Sequence, residues 1–182
     1  MKKTSLILLL FIPLLSFGQF SKSLKEMQAN KSPKYENYES LIFKATNYIF
    51  KNPSDRSSTE YVSAMKIVSF WMKIDTGIGI PTFGKFFTSL TNKDYQQYLY
   101  TVAIIHYGID QKVNHNRVLK CKPIKGQKYS EQLDVKEVQL EGAKILLKYI
   151  GNKKNNVPMN SETKKYYKKF KKNKLSEIFF KK

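Results

Sequence analysis

Between Glu60 and Ile74 the apolar residues Ala64, Ile67, Val68 and Trp71 recur at intervals of three and four, with Phe70 and Ile74 beside them. That spacing gathers them on one face of a helix and does not suit a strand, whose faces alternate every second residue. The same period returns in Leu41, Ala45, Tyr48 and Ile49, widened by Ile42 and Phe43, and again in Tyr95, Leu99, Val102, Ala103 and His106. Val138, Ala143, Ile145, Leu146, Leu147 and Ile150 carry it through a fourth stretch. No segment alternates apolar and polar residues for long enough to make a half-buried strand. The expected fold class is therefore all-α, a compact array of about six helices.

Punctuation residues bound these stretches. Ser57 stands three residues before Glu60, the spacing of a capping box, and Asn52-Pro53 stops the preceding helix. Thr82 caps a short segment carrying Phe83, Phe86, Phe87 and Leu90, Asn92 caps the next helix, and Gly108 ends it. Val113 to Leu119 reads as a short helix and Cys121 to Lys128 as loop. Asp134, paired with Glu137, opens a long helix that Gly151 closes, and Glu162 begins a last one whose end is crowded with lysine. Ser21 to Pro33 is polar and lysine-rich, a loose lead-in or a short frayed helix. The resulting organisation is a leader over residues 1–18, a polar lead-in over 19–34 and a single helical domain over 35–182.

The leader has the parts of an export signal: Lys2 and Lys3, an apolar run from Leu6 to Leu15, then the small residues Ser16 and Gly18. A spanning helix takes about 20 apolar residues, and this run is shorter and contains Pro13. Cleavage near Gly18 is expected, giving a secreted or periplasmic protein with no transmembrane helix in the mature chain. Cys121 is the one cysteine, so no internal disulfide is available and stability has to come from packing.

The formal charge of +19 falls to +17 without Lys2 and Lys3, which favours anionic partners. Only Arg56 and Arg117 among the 33 basic residues are arginine. Bidentate reading of guanine relies on guanidinium geometry, so sequence-specific nucleic-acid recognition is excluded as the expected role. The basic charge is densest at Lys164, Lys165, Lys168, Lys169, Lys171, Lys172 and Lys174, interleaved with Tyr166, Tyr167 and Phe170. As a helix this is an amphipathic basic segment, suited either to an anionic membrane or cell-wall surface or to docking its aromatic face on the bundle.

Asp75-Thr-Gly-Ile-Gly-Ile-Pro81 resembles the glycine box of the histidine-kinase-type (GHKL) ATPases, with Phe83, Phe86 and Phe87 in place of the phenylalanine box. The resemblance implies that Asp75 would accept a hydrogen bond from the adenine amino group and that Gly77 and Gly79 would let the backbone approach the base. It covers seven residues strictly. The upstream asparagine box has only Asn47 as a counterpart, followed by Tyr48 and Phe50, and the glycines after Gly84 stand too far apart for a second phosphate-binding box. The residues ahead of the motif carry a helical period where the family has a strand. Asp-Thr-Gly also occurs in aspartic proteases, whose chemistry needs a second carboxylate on a β scaffold.

The local reading is a helix corner, with the helix ending near Ile74, Gly77 left-handed, Gly79 in a tight turn and Pro81 fixing the exit. Asp75, Gly77, Gly79 and Phe83, with His106 on its apolar face, form the first candidate for a ligand site. His106, His115 and Cys121 lack the paired spacing of zinc ligands, so no metal and no cofactor are expected. Asp134, Glu137 and Glu141 read as a solvated stripe. The expected function is a non-catalytic exported protein that binds a protein or an anionic envelope component. The alternatives are a hydrolase-type enzyme whose site the sequence does not display, and ATP binding through Asp75–Pro81.

Overall fold

The computed structural model describes residues 18–92 and 95–180. Of the predicted leader over residues 1–18, all but Gly18 lies outside the described residues. Eight α-helices and no strand occur among the described residues: α1 (Gln19–Ala29), α2 (Glu39–Lys51), α3 (Thr59–Trp71), α4 (Gly84–Ser89), α5 (Gln96–His115), α6 (Leu133–Ile150), α7 (Ser161–Lys171) and α8 (Ser176–Phe179). The all-α class holds, with α4 and α8 as one-turn additions to six longer helices. No helix among the described residues is long and apolar enough to cross a membrane.

The centre is the pair α5 and α6, with α2 packed on the other side of α5 and α3 laid between α2 and α1. Trp71, Tyr100, Phe86, Ile42, Ile67 and Leu146 are fully buried here, and each such side chain contributes about 1.5–3 kcal/mol of burial energy. Gly142 sets the spacing of the central pair, since a Cβ there would stand 2.8 Å from the Ile104 side chain and 3.1 Å from its amide nitrogen. Tyr100 ties the pair by donating to Gln139 O at 2.9 Å. α7 rests on α4 and α6, with Tyr166 edge-on to Phe86 at 5.0 Å and Phe179 of α8 on the same ring at 5.2 Å.

Five local expectations are corrected. Residues 19–29 form a docked helix where a loose lead-in or a short frayed helix was expected, because Phe20, Leu24 and Met27 share one face and bury it against α3. Gly108 does not end α5, which continues as one helix to His115. Ile109 is buried one residue later, and the left-handed Asn116 supplies the stop. Val113–Leu119 is therefore no separate helix. The cap of α3 is Ser58, whose hydroxyl accepts from Tyr61 N at 3.2 Å, while Glu60 turns away to α1. Asp134 is the second residue of α6 and makes no capping box with Glu137: its Oδ1 accepts from the adjacent Val135 N at 2.8 Å, while its Oδ2 and the Glu137 carboxylate are used in tertiary contacts.

Candidate functional site

The Asp75–Pro81 segment is a corner built from backbone contacts. α3 ends at Trp71, and Ile74 N still reaches Trp71 O at 3.0 Å before the chain leaves the helix. Gly77 is left-handed at φ 62°, inside a turn closed by its own N–H donating to Asp75 Oδ1 at 3.0 Å. It falls too far beyond the helix to be its C-terminal cap, which corrects that part of the reading. Gly79 donates to Lys120 O at 2.8 Å, and a Cβ on it would meet the Cys121 carbonyl oxygen at 2.0 Å. The space left beside Gly79 is about 20 Å3, bounded by Trp71, Ile105, Ile109 and Val138. That holds about one water and no purine.

Asp75, Gly77 and Gly79 are thus together, but His106 is not with them. It lies against α2, where Nδ1 is hydrogen-bonded to Thr46 Oγ1 at 2.9 Å and the ring stacks on Phe43 at 5.6 Å. Burial holds its pKa below the usual histidine value, helped by Lys51 and opposed by Asp110. Phe83 leans on Tyr129 at 5.6 Å, and its carbonyl accepts from Gln139 Nε2 at 3.0 Å. The corner is a packed joint.

Cys121 is buried, at 1% exposure, in a left-handed backbone conformation (φ 46°). Its N–H donates to Asp134 Oδ2 at 2.7 Å and its carbonyl accepts from the Tyr129 hydroxyl at 2.9 Å. Desolvation, reinforced by Asp134, pushes the thiol pKa up to about 12, so it is protonated near neutral pH and a poor nucleophile. Glu137 binds Arg117 through both oxygens and accepts from the Tyr107 hydroxyl at 2.6 Å. Arg117 holds its carboxyl below the usual range. Asp134 and Glu137 therefore pin the irregular 116–132 connection onto α5 and α6, which overturns the solvated stripe at those two positions, while Glu141 pairs along its own helix with Lys144 at 2.6 Å. No group of three or more His, Cys, Asp or Glu among the described residues is placed to hold a metal ion.

α7 divides its two faces cleanly. Asn160 opens it by accepting from Thr163 N at 2.8 Å. Thr163 and Tyr166 are buried, Tyr167 and Phe170 half-buried, and the Tyr167 ring covers Gly151 so closely that a Cβ there would lie 2.3 Å from it. Lys164, Lys168 and Lys171 follow each other at four and three residues on the opposite face, flanked by Lys165 and Lys172, and all five are exposed. Lys165 pairs with Glu162 at 2.6 Å and Lys169 with Glu177 at 3.0 Å. Lys164, Lys168, Lys171 and Lys172 make no ion pair among the described residues.

A feature that sequence reasoning missed is a groove of about 600 Å3 between α1 and α2, reaching Glu60 at the start of α3. Its polar lining includes Glu26, Lys44, Asn47 and Lys51. Its sequence signal was the spacing of Phe20, Leu24 and Met27, which makes α1 a docked helix.

The chain matches no protein-family model. It likewise matches no curated protein and no solved structure, so the site rests on its own geometry.

Proposed function

We propose that this chain is an exported, non-catalytic helical module that binds a phosphate-bearing anionic component of the cell envelope through the lysine face of α7. The observation that carries this reading is the division of α7: its aromatic side is consumed by packing on α4 and α6, while Lys164, Lys165, Lys168, Lys171 and Lys172 stay exposed. With Tyr166 buried, the aromatic rings do not supply an insertion face, so the attraction is electrostatic. Lysine ammonium groups meet phosphate as point charges and impose little orientation, which suits a repetitive polyanion or a headgroup layer. Each lysine near such a surface contributes about 1 kcal/mol, screened by salt.

The test is co-sedimentation with vesicles containing phosphatidylglycerol and with phosphatidylcholine vesicles, with soluble polyphosphate as a second arm. Wild type is expected to bind the anionic vesicles at low salt and to release at high salt. The triple variant Lys164→Gln, Lys168→Gln, Lys171→Gln is expected to bind about a hundredfold more weakly. Binding that ignores both the substitutions and salt overturns the reading. Competition by polyphosphate identifies a polymer as a sufficient ligand. The export part is tested by amino-terminal sequencing of protein recovered outside the cytoplasm.

A further inference from the structure

Glu60 sits in the first turn of α3 at 8% exposure. Its Oε1 accepts from Phe20 N at 2.8 Å, while Oε2 is shut off from solvent and has no hydrogen-bond partner. A buried carboxylate oxygen without a donor is a costly arrangement that folded proteins rarely leave in place. What lies beside it is the start of α1. Phe20 is the second residue of that 11-residue helix, Gln19 the first, and the capping Gly18 has no side chain to offer. Backbone geometry places Gln19 N roughly 3 Å from Phe20 N. Gln19 and Glu60 line the same groove.

In the uncut chain Gln19 N is an ordinary amide carrying one hydrogen. Hydrolysis of the Gly18–Gln19 bond consumes one water, leaves a carboxylate on Gly18, and frees an amine that takes up a proton. The product carries three donors and a full positive charge next to an oxygen that lacks one. We propose that Glu60 is the receptor for a processed amino terminus at Gln19, and that the new α-ammonium pairs with Glu60 Oε2 and fastens α1 onto α3. This rests on the export reading above for the cut itself. Gly18 itself is left-handed, at φ 91°, and caps α1 without a side chain. The other charged side chains facing the groove are Glu26 of α1 and Lys44 and Lys51 of α2, with the phenols of Tyr38 and Tyr48.

Four proteins test it: a chain beginning at a free Gln19, a chain retaining Ser16-Phe17-Gly18 ahead of it, and the Glu60→Gln version of each. Urea unfolding at pH 6 is expected to show the free-terminus protein stabilised at least tenfold in its unfolding equilibrium constant over the extended one. Glu60→Gln is expected to erase that difference. The gain is present below the unfolded α-amino pKa, near 7.7–8.0, and is expected to fade as pH rises through the raised value in the folded state. Equal stability of the two starts, or an unchanged gain in Glu60→Gln, overturns the proposal. An amino-terminal glutamine can cyclise with loss of ammonia and so lose its charge, so the set is repeated with Gln19→Ala, where a missing gain is equally fatal. Amino-terminal sequencing of the exported protein separates the two readings. A cut at another bond overturns Gln19 as the natural terminus, whereas a cut at Gly18 with a flat mutant cycle overturns Glu60 as its receptor.

Discussion

Gly79 and Cys121 meet backbone to backbone: a Cβ on Gly79 would stand 2.0 Å from the Cys121 carbonyl oxygen. The partner in that contact is main chain, held in turn by Tyr129 and Asp134, so it cannot swing aside as a long side chain would. Gly79→Ala is expected to destabilise the fold by about 1–3 kcal/mol through overpacking. Gly108→Ala is the control. It lies inside α5 with open space where its Cβ would go, and is expected to stabilise by about 0.5–1 kcal/mol. Urea midpoints of the two variants should move in opposite directions.

The Cys121 thiol should be inert while the protein is folded. With its pKa near 12, labelling by a disulfide reagent at pH 8 is expected to run at least about a hundredfold slower than for a free thiol, and to reach the free rate in denaturant. Asp134→Ala removes the acceptor for both Cys121 N and Val135 N and should raise the native labelling rate.

Acid should weaken the fold through His106. Burial lowers its folded pKa beneath the unfolded value near 6.5, so the unfolded state binds more protons between the two and stability rises with pH there. The neutral ring's contribution is complete above about pH 6.5 and is lost as pH falls toward the folded pKa. His106→Gln should flatten the stability change between pH 7.5 and 5.5 in paired urea titrations.

Charge and packing on α7 should separate. Tyr166→Ala empties the place between α7 and Phe86 and is expected to cost about 3–5 kcal/mol. The triple lysine-to-glutamine variant leaves that contact alone, and its thermal midpoint should stay close to wild type while its vesicle binding collapses. Truncation at Ser161 would confound the two effects, because it also strips Phe179 from the core.

Local signals were legible where the cause is local. The period of Ala64, Ile67, Val68 and Trp71 gave α3, and Glu162 marked the first turn of α7. α1 was obscured because lysine and glutamine surround Phe20, Leu24 and Met27, and average polarity hid their shared face. The roles of Glu60, Asp134 and Glu137 depend on partners 40, 13 and 20 residues away, and no window of sequence contains both ends. Phe83 lay on the corner as expected, whereas His106 faces α2 because the turn of α5 points it toward Thr46. The lysines of α7 could be named from the sequence. Which face they would occupy depended on the rings of Phe86 and Tyr166 meeting.

That meeting has a kinetic consequence. A loose cationic tail must surrender chain entropy each time it settles on a polyanion. Here the spacing of Lys164, Lys168 and Lys171 is already set by a helix bolted to the interior through Tyr166. Capture therefore involves no coil-to-helix transition, the far-ultraviolet spectrum should be the same free and bound, and the encounter rate should be governed by ionic strength alone.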